Sequence, residues 1–292
     1  MLPLGSIPSP DDGTLELGSL TIHLYGLMLL IAICVATWVC GRRWVARGGD
    51  WDLIFRCAVW GVGSGIVGAR VYHLITSWDQ VPDQWWGPFA IWKGGLGVWG
   101  GIAAGVIAGG IVARRAGVDW RLLADCLAPG LLLAQAIGRL GNYVNQELYG
   151  KPTSLPWGLE IDVRHYPPGR AFESGTTFHP TFLYEIVWDV AAAALLVFVI
   201  ERRFRPRPPS LFAAYVALYC VGRFFTEYLR IDPAHEIGPL RLNNWVALIL
   251  FVVAAIAFVR INASPGRRRP PGRPRKPPPS RTATMAIPKR RH

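Results

Sequence analysis

The stretch VALILFVVAAIAFV, residues 246–259, contains no charged or polar side chain. A second run, AAAALLVFVI at residues 191–200, has the same character. A helix that crosses the hydrocarbon layer of a membrane, which is roughly 30 Å thick, needs about 20 predominantly apolar residues. With their flanking residues both runs reach this length, so they predict helices that span a membrane.

The composition also indicates a membrane protein. Of the 292 residues 51% are hydrophobic and only 17% are charged, whereas soluble domains carry roughly a quarter charged residues. Seven stretches are long and apolar enough to predict spans, at residues 19–40, 52–76, 95–113, 122–138, 181–201, 210–229 and 242–260. The predicted fold is an all-α polytopic membrane protein with seven transmembrane helices.

The distribution of Lys and Arg predicts how the spans are oriented. The loops after the first, third and fifth spans are rich in arginine, as is the C-terminal segment, and the other loops hold far fewer basic residues. Because positively charged loops stay in the cytoplasm, we expect the N-terminus outside and the C-terminus cytoplasmic. The long polar loop region around 139–180 then lies on the outer face.

These features divide the chain into an outer N-terminal segment (1–18), a seven-span domain (19–262) and a basic cytoplasmic tail (263–292). The tail is dense in Pro and Arg, a composition that cannot bury a core, so we expect it to be disordered. It carries most of the net charge of +12, which attraction to anionic membrane lipids explains better than binding of nucleic acid. The five cysteines lie in or beside apolar runs without metal-ligand spacing, so neither a disulfide, a metal nor another cofactor is predicted.

Charged residues inside the predicted spans indicate a functional site. Such residues are costly in hydrocarbon and usually face a cavity or a partner. Arg70, Arg139 and Arg223 meet this description, and Glu227 and Arg230 follow Arg223 at helical spacing. For Glu227, an ion pair that only joins two helices is an open alternative. For Arg139 and Arg223 we favour a site for an anionic lipid or a phosphate, because the guanidinium fork matches phosphate oxygens.

A segment at the outer end of the fourth span concentrates further polar residues. It reads GRLGNYVNQELYG, residues 138–150, and meets every fixed position of the pattern GRxGNxxNxExxG. On this segment the chain resembles the phosphatidylglycerol–prolipoprotein diacylglyceryl transferase family. The resemblance extends over about residues 24–230 through YGLM at 25–28, GAR at 68–70, WKGG at 92–95, Asp125 with AP at 128–129, HP at 179–180, LYE at 183–185, and Tyr219, Arg223, Glu227 and Arg230 in a YxxxRxxxExxR pattern.

The resemblance implies an enzyme of the bacterial cytoplasmic (inner) membrane. It would transfer the diacylglyceryl group of phosphatidylglycerol to the lipobox cysteine thiol of a prolipoprotein signal peptide, forming a thioether and releasing glycerol phosphate. Arg139 and Arg223 would hold the phosphate, and Tyr219 would orient a substrate or relay a proton. The residues to which it assigns catalysis are Arg139, Arg223, Tyr219 and Glu147. Those to which it assigns phosphatidylglycerol binding are Arg139, Asn142, Asn145, Gly150, Tyr25, Arg70, Glu227 and Arg230.

One position departs from the family. Many members have a histidine after WxGG that is proposed as the base for the thiol, and here Trp99 occupies its place. The indole of Trp99 cannot accept the proton of the thiol. Either another group acts as the base, or the reaction does not need a base at this position. His179 and Glu147 are the alternatives. Trp99 itself is expected to pack or to lie against lipid.

Two other classes of function fit parts of the pattern. A transporter or flippase for an anionic lipid or phosphate-bearing substrate would also need charged residues in glycine-broken spans. It would be expected to show related sequence halves, and the chain has none. A non-catalytic scaffold would not need Arg139, Asn142, Glu147 and Arg223 together.

Overall fold

The computed structural model describes residues 5–10, 13–17 and 20–263. The predicted basic tail, apart from its first residue, lies outside the described residues. Seven long helices form the body: α1 (Leu24–Val45), α2 (Trp51–Thr76), α3 (Val98–Arg115), α4 (Trp120–Val144), α5 (Thr181–Ala194), α6 (Ser210–Leu229) and α7 (Leu242–Ala263). The helix that begins with α5 continues with π geometry over Leu195–Phe204.

The remaining elements are short. The strands are β1 (Thr14–Leu17), β2 (Leu20–His23), β3 (Pro152–Thr153), β4 (Leu159–Glu160), β5 (Thr177–Phe178), β6 (Glu236–Ile237) and β7 (Leu240–Arg241). Four 3₁₀ turns cover Trp78–Gln80, Gly87–Phe89, Ile91–Lys93 and Val163–His165. Strands β1 and β2 form a hairpin, as do β6 and β7, and the third sheet has the order β3-β5-β4.

The helices fall on the seven predicted stretches, so the described part of the chain is mostly helical, as predicted. Five are long and apolar enough to cross a membrane: Leu24–Val45, Trp51–Thr76, Trp120–Val144, Thr181–Phe204 and Leu242–Ala263. In α3 the apolar content is diluted by glycines and by Arg114 and Arg115, and in α6 by Arg223 and Glu227. The structure therefore supports a multi-pass membrane protein directly through five of its helices.

Several observed boundaries differ from the predicted ones, and the largest differences lie in the first and fourth helices; the first ends at Val45 rather than residue 40. The first helix begins at Leu24 rather than residue 19, because residues 20–23 pair with β1. The fourth helix continues to Val144 rather than residue 138. Leu140, Tyr143 and Val144 continue its apolar pattern, and Asn145 caps it by donating its backbone N–H to Gly141. Arg139 and Asn142 are consequently helical, and the loop after α4 begins about six residues later than predicted.

The helices pack as antiparallel neighbours, with α1 against α4, α2 against α3 and α6 against α7, and α4, α5 and α6 in mutual contact. The α2–α3 crossing is close because it is lined by glycine. A Cβ added at Gly68 would come within 2.3 Å of the Ala104 Cβ and 2.5 Å of the Gly100 carbonyl oxygen. Small residues at such crossings let membrane helices approach, so van der Waals contacts hold the pair together.

One end of the helical body carries the strands, and we call it the loop end. There the N-terminal segment packs on the loop that follows α4: the Ile7 N–H donates to the Gly158 carbonyl at 2.8 Å, and the Glu160 N–H donates to the Ile7 carbonyl at 2.9 Å. Buried side chains beneath this sheet form a small core of Tyr149, Leu159, Ile161, Phe178 and Ile231. The loop end is therefore an ordered layer over the ends of α4, α5 and α6.

The opposite end, which we call the arginine end, holds the basic loops. Glu201 accepts ion pairs there from Arg43 at 2.9 Å and from Arg47. Asp125, at the start of α4, accepts the Phe212 N–H at 2.9 Å and so fixes the start of α6. The N-terminal segment and the 145–180 loop thus share one end, and the arginine-rich loops share the other.

Candidate active site

The centre of the candidate site is a carboxylate shared by two arginines. Glu185, in the second turn of α5, forms ion pairs with Arg139 of α4 and with Arg223 of α6, the latter at 3.5 Å. All three side chains are largely buried, with 7%, 17% and 18% of the Glu185, Arg139 and Arg223 side chains exposed. Three helices therefore bring these charges together near the loop end.

Arg223 is not fully satisfied by this arrangement. Its Nη2 pairs with Glu227 at 2.6 Å, but its Nη1 is buried and has no hydrogen-bond partner among the described residues. The 3.5 Å separation from Glu185 is an ion pair without hydrogen-bond geometry. A buried charged donor without an acceptor is unfavourable, so this nitrogen is suited to an incoming anion.

A second branch runs from Arg139 to the end of α4. The Arg139 Nη1 donates to the Asn142 Oδ1 at 3.0 Å, and the Asn142 Nδ2 donates to the Glu147 Oε1 at 2.7 Å. The chain turns back here because Gln146 and Leu148 adopt positive φ angles of 51° and 60°. Left-handed conformations at non-glycine residues are uncommon and concentrate at functional sites. This turn places Glu147, which is exposed, beside the buried Asn142.

Tyr25 closes one side of that branch. A Cβ added at Gly141 would lie 2.5 Å from the Tyr25 ring, so the absence of a side chain lets the ring lie against α4. The phenol also interacts electrostatically with Glu147 and Arg139. The first helix therefore places Tyr25 beside this branch of the cluster.

Glu227 is the hub of a third branch and is fully buried. It pairs with Arg223, with Arg230 at 3.4 Å and with Arg241 at 3.1 Å, and it accepts a hydrogen bond from the Asn243 Nδ2 at 3.0 Å. A buried carboxylate needs this number of partners, because desolvation of an unpaired charge is costly. The branch ties α6 to the β6–β7 hairpin and the start of α7.

Asp232 completes the branch in the loop after α6. It accepts hydrogen bonds from Arg230 at 2.7 and 3.0 Å and from Arg241 at 3.0 Å. Burial alone would raise the pKa of Asp232, but the hydrogen bonds and charges of the two arginines outweigh burial and hold it below its ordinary value. In direct ion pairs of the whole cluster, four guanidinium groups of Arg139, Arg223, Arg230 and Arg241 face three carboxylates of Glu185, Glu227 and Asp232. Glu147, held by Asn142, adds a fourth carboxylate to the hydrogen-bonded network, so the feature that favours a further anion is the Arg223 Nη1, which lacks a hydrogen-bond partner among the described residues.

Tyr219 lies one turn before Arg223 on α6 and interacts electrostatically with both Arg139 and Arg223. Its ring stacks on Tyr215 with 6.3 Å between centroids, and the Tyr215 hydroxyl accepts a hydrogen bond from Gln135 at 3.1 Å. The polar lining of the site thus continues inward along facing sides of α4 and α6.

Three residues predicted for lipid binding have other contacts. Arg70 donates its Nε to the Pro88 carbonyl at 2.8 Å, and its two terminal nitrogens donate to the carbonyls of Gly87, Gly94 and Gly95 at 2.6 to 3.0 Å. It therefore organises the loop between α2 and α3. The Asn145 side chain lies beside Gly13 of the N-terminal segment. Gly150 forms a backbone bridge to Arg230 and packs against His179, so it connects the loop to the Glu227 branch.

The alternatives for a base occupy different places. His179 lies outside the charged cluster, with its Nδ1 3.1 Å from the Tyr184 hydroxyl, which also accepts the Trp157 Nε1–H at 3.2 Å. Burial and, secondarily, the charge of Lys151 lower the pKa of His179. Trp99 lies in the first turn of α3 with 68% of its surface exposed. Glu147 is the one of the three that belongs to the hydrogen-bonded cluster.

Sequence reasoning missed three members of the cluster, Glu185, Asp232 and Arg241. Glu185 was part of the LYE motif and is a charged residue in a predicted span, so the rule that selected Arg139 also applies to it. Arg241 follows a turn outside the spans, where a charged residue is not costly and so does not indicate a functional site. No group of three or more His, Cys, Asp or Glu residues suited to a metal occurs within the described ranges.

Comparison with known proteins gives a consistent result. The family model described as prolipoprotein diacylglyceryl transferase matches residues 13–260. A protein of Cutibacterium acnes named phosphatidylglycerol–prolipoprotein diacylglyceryl transferase is 48% identical over 265 residues, which cover 90% of this chain and 88% of that protein. Proteins of the same name from Streptomyces griseus and Bifidobacterium adolescentis are 46% and 43% identical, over 90% and 89% of this chain and 80% and 81% of their own lengths.

Proposed function

This chain belongs to the prolipoprotein diacylglyceryl transferase family, and we propose that its charged cluster at the loop end is the site where the phosphate of phosphatidylglycerol binds. The chain transfers a diacylglyceryl group to prolipoproteins, as its relatives' name states. The transporter or flippase interpretation is accordingly set aside. What remains to be assigned is how the cluster carries out the transfer and where it lies in the membrane.

We place all seven helices across the bacterial cytoplasmic membrane, with the loop end outside and the arginine end in the cytoplasm. The support is that the basic loops gather at one end, and basic residues remain cytoplasmic. The loop end then meets secreted substrates. A prolipoprotein signal peptide lying in the same membrane would bring its lipobox cysteine to the level of Arg139 and Glu147.

The observation that carries the phosphate assignment is the Arg139–Glu185–Arg223 triad. Two guanidinium forks share one carboxylate, and the buried Arg223 Nη1 lacks an acceptor among the described residues. A phosphate diester presents oxygens that two forks recognise well. We propose that the phosphate binds between Arg139 and Arg223, taking over contacts that Glu185 now supplies, while Asn142 and Tyr25 border the headgroup.

The reaction needs a thiolate and a stabilised leaving group. The thiol of a free cysteine has a pKa of about 8.5, so removal of its proton assists attack. The sulfur then bonds to the glyceryl carbon as the bond from that carbon to the phosphate ester oxygen breaks. Glycerol phosphate leaves with the electron pair. Fixed positive charge at the developing anion is the most effective help that a site gives to such a step, and Arg139 and Arg223 supply it.

For the proton we propose Glu147 as the acceptor. Its carboxylate is exposed at the loop end and is held by Asn142, which also contacts Arg139. The base and the phosphate site are thus linked through one side chain. Tyr219, beside both arginines, would orient the lipid or pass a proton within the site. No part of this assignment uses Trp99.

The experiment is a direct assay of the purified full chain. Phosphatidylglycerol and a peptide bearing a lipobox cysteine would be supplied in mixed micelles, with the lipidated peptide measured by mass spectrometry and glycerol phosphate measured enzymatically. We expect both products in equal amounts. The controls replace the peptide cysteine by serine and the lipid by phosphatidylcholine, and neither should react. Absence of turnover in several detergents and lipids would overturn the proposal.

A further inference from the structure

A groove of about 490 Å³ lies between α2 and α3 at the arginine end, remote from the candidate active site. Trp60 of α2 and Ala108, Ile111 and Val112 of α3 form its apolar walls, and Arg56 and Arg115 are the charged residues that line it. By contrast, Arg139 lies about 28 Å along α4 from that end, at about 1.5 Å per residue. The groove is therefore separate from the site at the loop end.

The charges and the apolar walls occupy different depths. Because α2 and α3 are antiparallel, the second turn of α2, with Arg56, and the last residue of α3, Arg115, lie near the same end of the pair. Trp60 is one helical turn deeper than Arg56, and Ile111 is one turn deeper than Arg115. The groove thus has cationic groups near the helix ends and hydrocarbon surface below them.

The two arginines are available to a ligand. Arg56 pairs with Asp52 at 2.9 Å, but both side chains are more than half exposed, and such pairs exchange readily with other partners. Arg115 is exposed and forms no ion pair within the part of the chain that the structure describes. With Arg114 beside it, the local charge remains positive after Asp52 is counted.

We propose that this groove binds one phospholipid with a net-anionic headgroup. Its phosphate lies between Arg56 and Arg115, whose guanidinium forks match phosphate oxygens, and one acyl chain lies along Trp60 and Ile111. Trp60 is 62% exposed, as is usual for tryptophans at the boundary between headgroups and hydrocarbon. The bound lipid is distinct from the donor lipid, because it lies at the opposite end of the helices.

The test uses the full-length protein in nanodiscs and a phosphatidylglycerol that carries a photoactivatable diazirine in one acyl chain. A phosphatidylcholine with the same labelled chain serves as the net-neutral probe. We expect phosphatidylglycerol to label residues 56–60 and 108–116 at least threefold more than phosphatidylcholine. Equal labelling by the two lipids would overturn the proposal, since the groove would then contain only unselected lipid.

Matched variants locate the source of the selectivity. Arg56→Gln/Arg115→Gln should reduce labelling of the groove by phosphatidylglycerol to the level seen with phosphatidylcholine, whereas Arg114→Gln/Arg121→Gln, with the same loss of charge at the same end, should not.

Ala108→Trp fills the groove without changing charge and should also abolish labelling, unlike Ala103→Trp on the exposed side of α3. Labelling near Arg139 should be unchanged in all four variants, which separates this result from a failure of the donor site. Retained groove labelling in both Arg56→Gln/Arg115→Gln and Ala108→Trp would refute the proposal.

Discussion

Arg223 lies 3.5 Å from Glu185 in an ion pair that contains no hydrogen bond, and its Nη1 is buried without another acceptor in the described part of the chain. The remaining bonds of Arg223 fix its position, since Nη2 pairs with the fully buried Glu227 at 2.6 Å. One side of the guanidinium is therefore anchored and the other is available. A phosphate oxygen placed beside Arg223 would satisfy a donor that Glu185 satisfies poorly.

The first prediction concerns the two phosphate arginines. Arg139→Ala and Arg223→Ala should each reduce turnover by at least about a hundredfold, because removal of one preorganised donor to a developing anion costs about 10² to 10³ in rate. Arg223→Lys should recover little of it, since an ammonium lacks the fork. The measurement is initial rate of peptide lipidation, with melting temperature measured in parallel.

Arg170→Ala is the control for these variants, because Arg170 is exposed on the loop of the same end. It should keep wild-type rates. If a folded Arg139→Ala or Arg223→Ala protein had the rate of Arg170→Ala, the phosphate role would be misassigned.

The second prediction concerns Glu185. Glu185→Gln leaves Arg139 without its buried counter-charge and Arg223 with Glu227 alone, so the lipid-free protein should melt at a lower temperature. Added phosphatidylglycerol should then raise the melting temperature more in Glu185→Gln than in the wild type, because the phosphate no longer competes with a carboxylate. Thermal denaturation with and without the lipid measures both effects. An equal or smaller lipid-induced shift in Glu185→Gln would contradict the exchange of Glu185 for phosphate.

The helices were predictable from long apolar runs, which glycines in α3 and charged residues in α6 dilute without ending the helix. The ends of α4 were harder to predict than the presence of the helix. The signature contains polar residues that suggested a loop, yet Leu140, Tyr143 and Val144 extend the helix and only Asn145 caps it. Where apolar and polar residues alternate at a helix end, tertiary contacts decide the boundary, and these contacts cannot be predicted from the sequence.

The same distinction applies to the site. The cost of a charge in a span selected Arg139 and Arg223 as unusual residues, and it selected Arg70 for the same reason. It did not reveal the partners of these arginines. Arg139 and Arg223 pair with carboxylates, and Arg70 donates hydrogen bonds to loop carbonyls. Arg241 lies outside the spans, so its charge is not costly there. Only the folding of the β6–β7 hairpin onto α6 brings it to Glu227.

The third prediction concerns Arg241. It is nearly buried and pairs with both Glu227 and Asp232, and loss of one member of a buried ion-pair network typically costs about 3–5 kcal/mol. Arg241→Gln should therefore lower the melting temperature by several degrees. Turnover should also fall, because Glu227 positions Arg223.

Arg164→Gln provides the comparison, since Arg164 pairs with Asp162 at 3.0 Å with 61% and 47% of the two side chains exposed. An exposed pair contributes at most about 1 kcal/mol, so its melting temperature should be close to wild type. Equal melting temperatures for Arg241→Gln and Arg164→Gln would show that the Glu227 network does not stabilise the fold.

The fourth prediction concerns pH. The pKa of His179 is lowered by burial and by Lys151, so between its ordinary value of 6.5 and the lowered one the unfolded chain binds more protons than the folded protein. Stability therefore decreases as the pH falls below 6.5. His179→Gln removes this contribution, so its melting temperature should decline less than that of wild type between pH 7.5 and 5.5. A parallel decline in both proteins would show that His179 does not couple protonation to folding.

The fifth prediction concerns Trp99, which stands where many members of the family have a histidine. Its side chain is 68% exposed in the first turn of α3, it has no basic atom, and the charged cluster is built from other helices. Trp99→Phe should therefore change turnover by less than about threefold, and Trp92→Phe, also 68% exposed, is the matched control. A loss of several hundredfold in Trp99→Phe alone would place position 99 in the reaction. The role of Trp99 would then be to position a substrate, because an indole cannot act as the base.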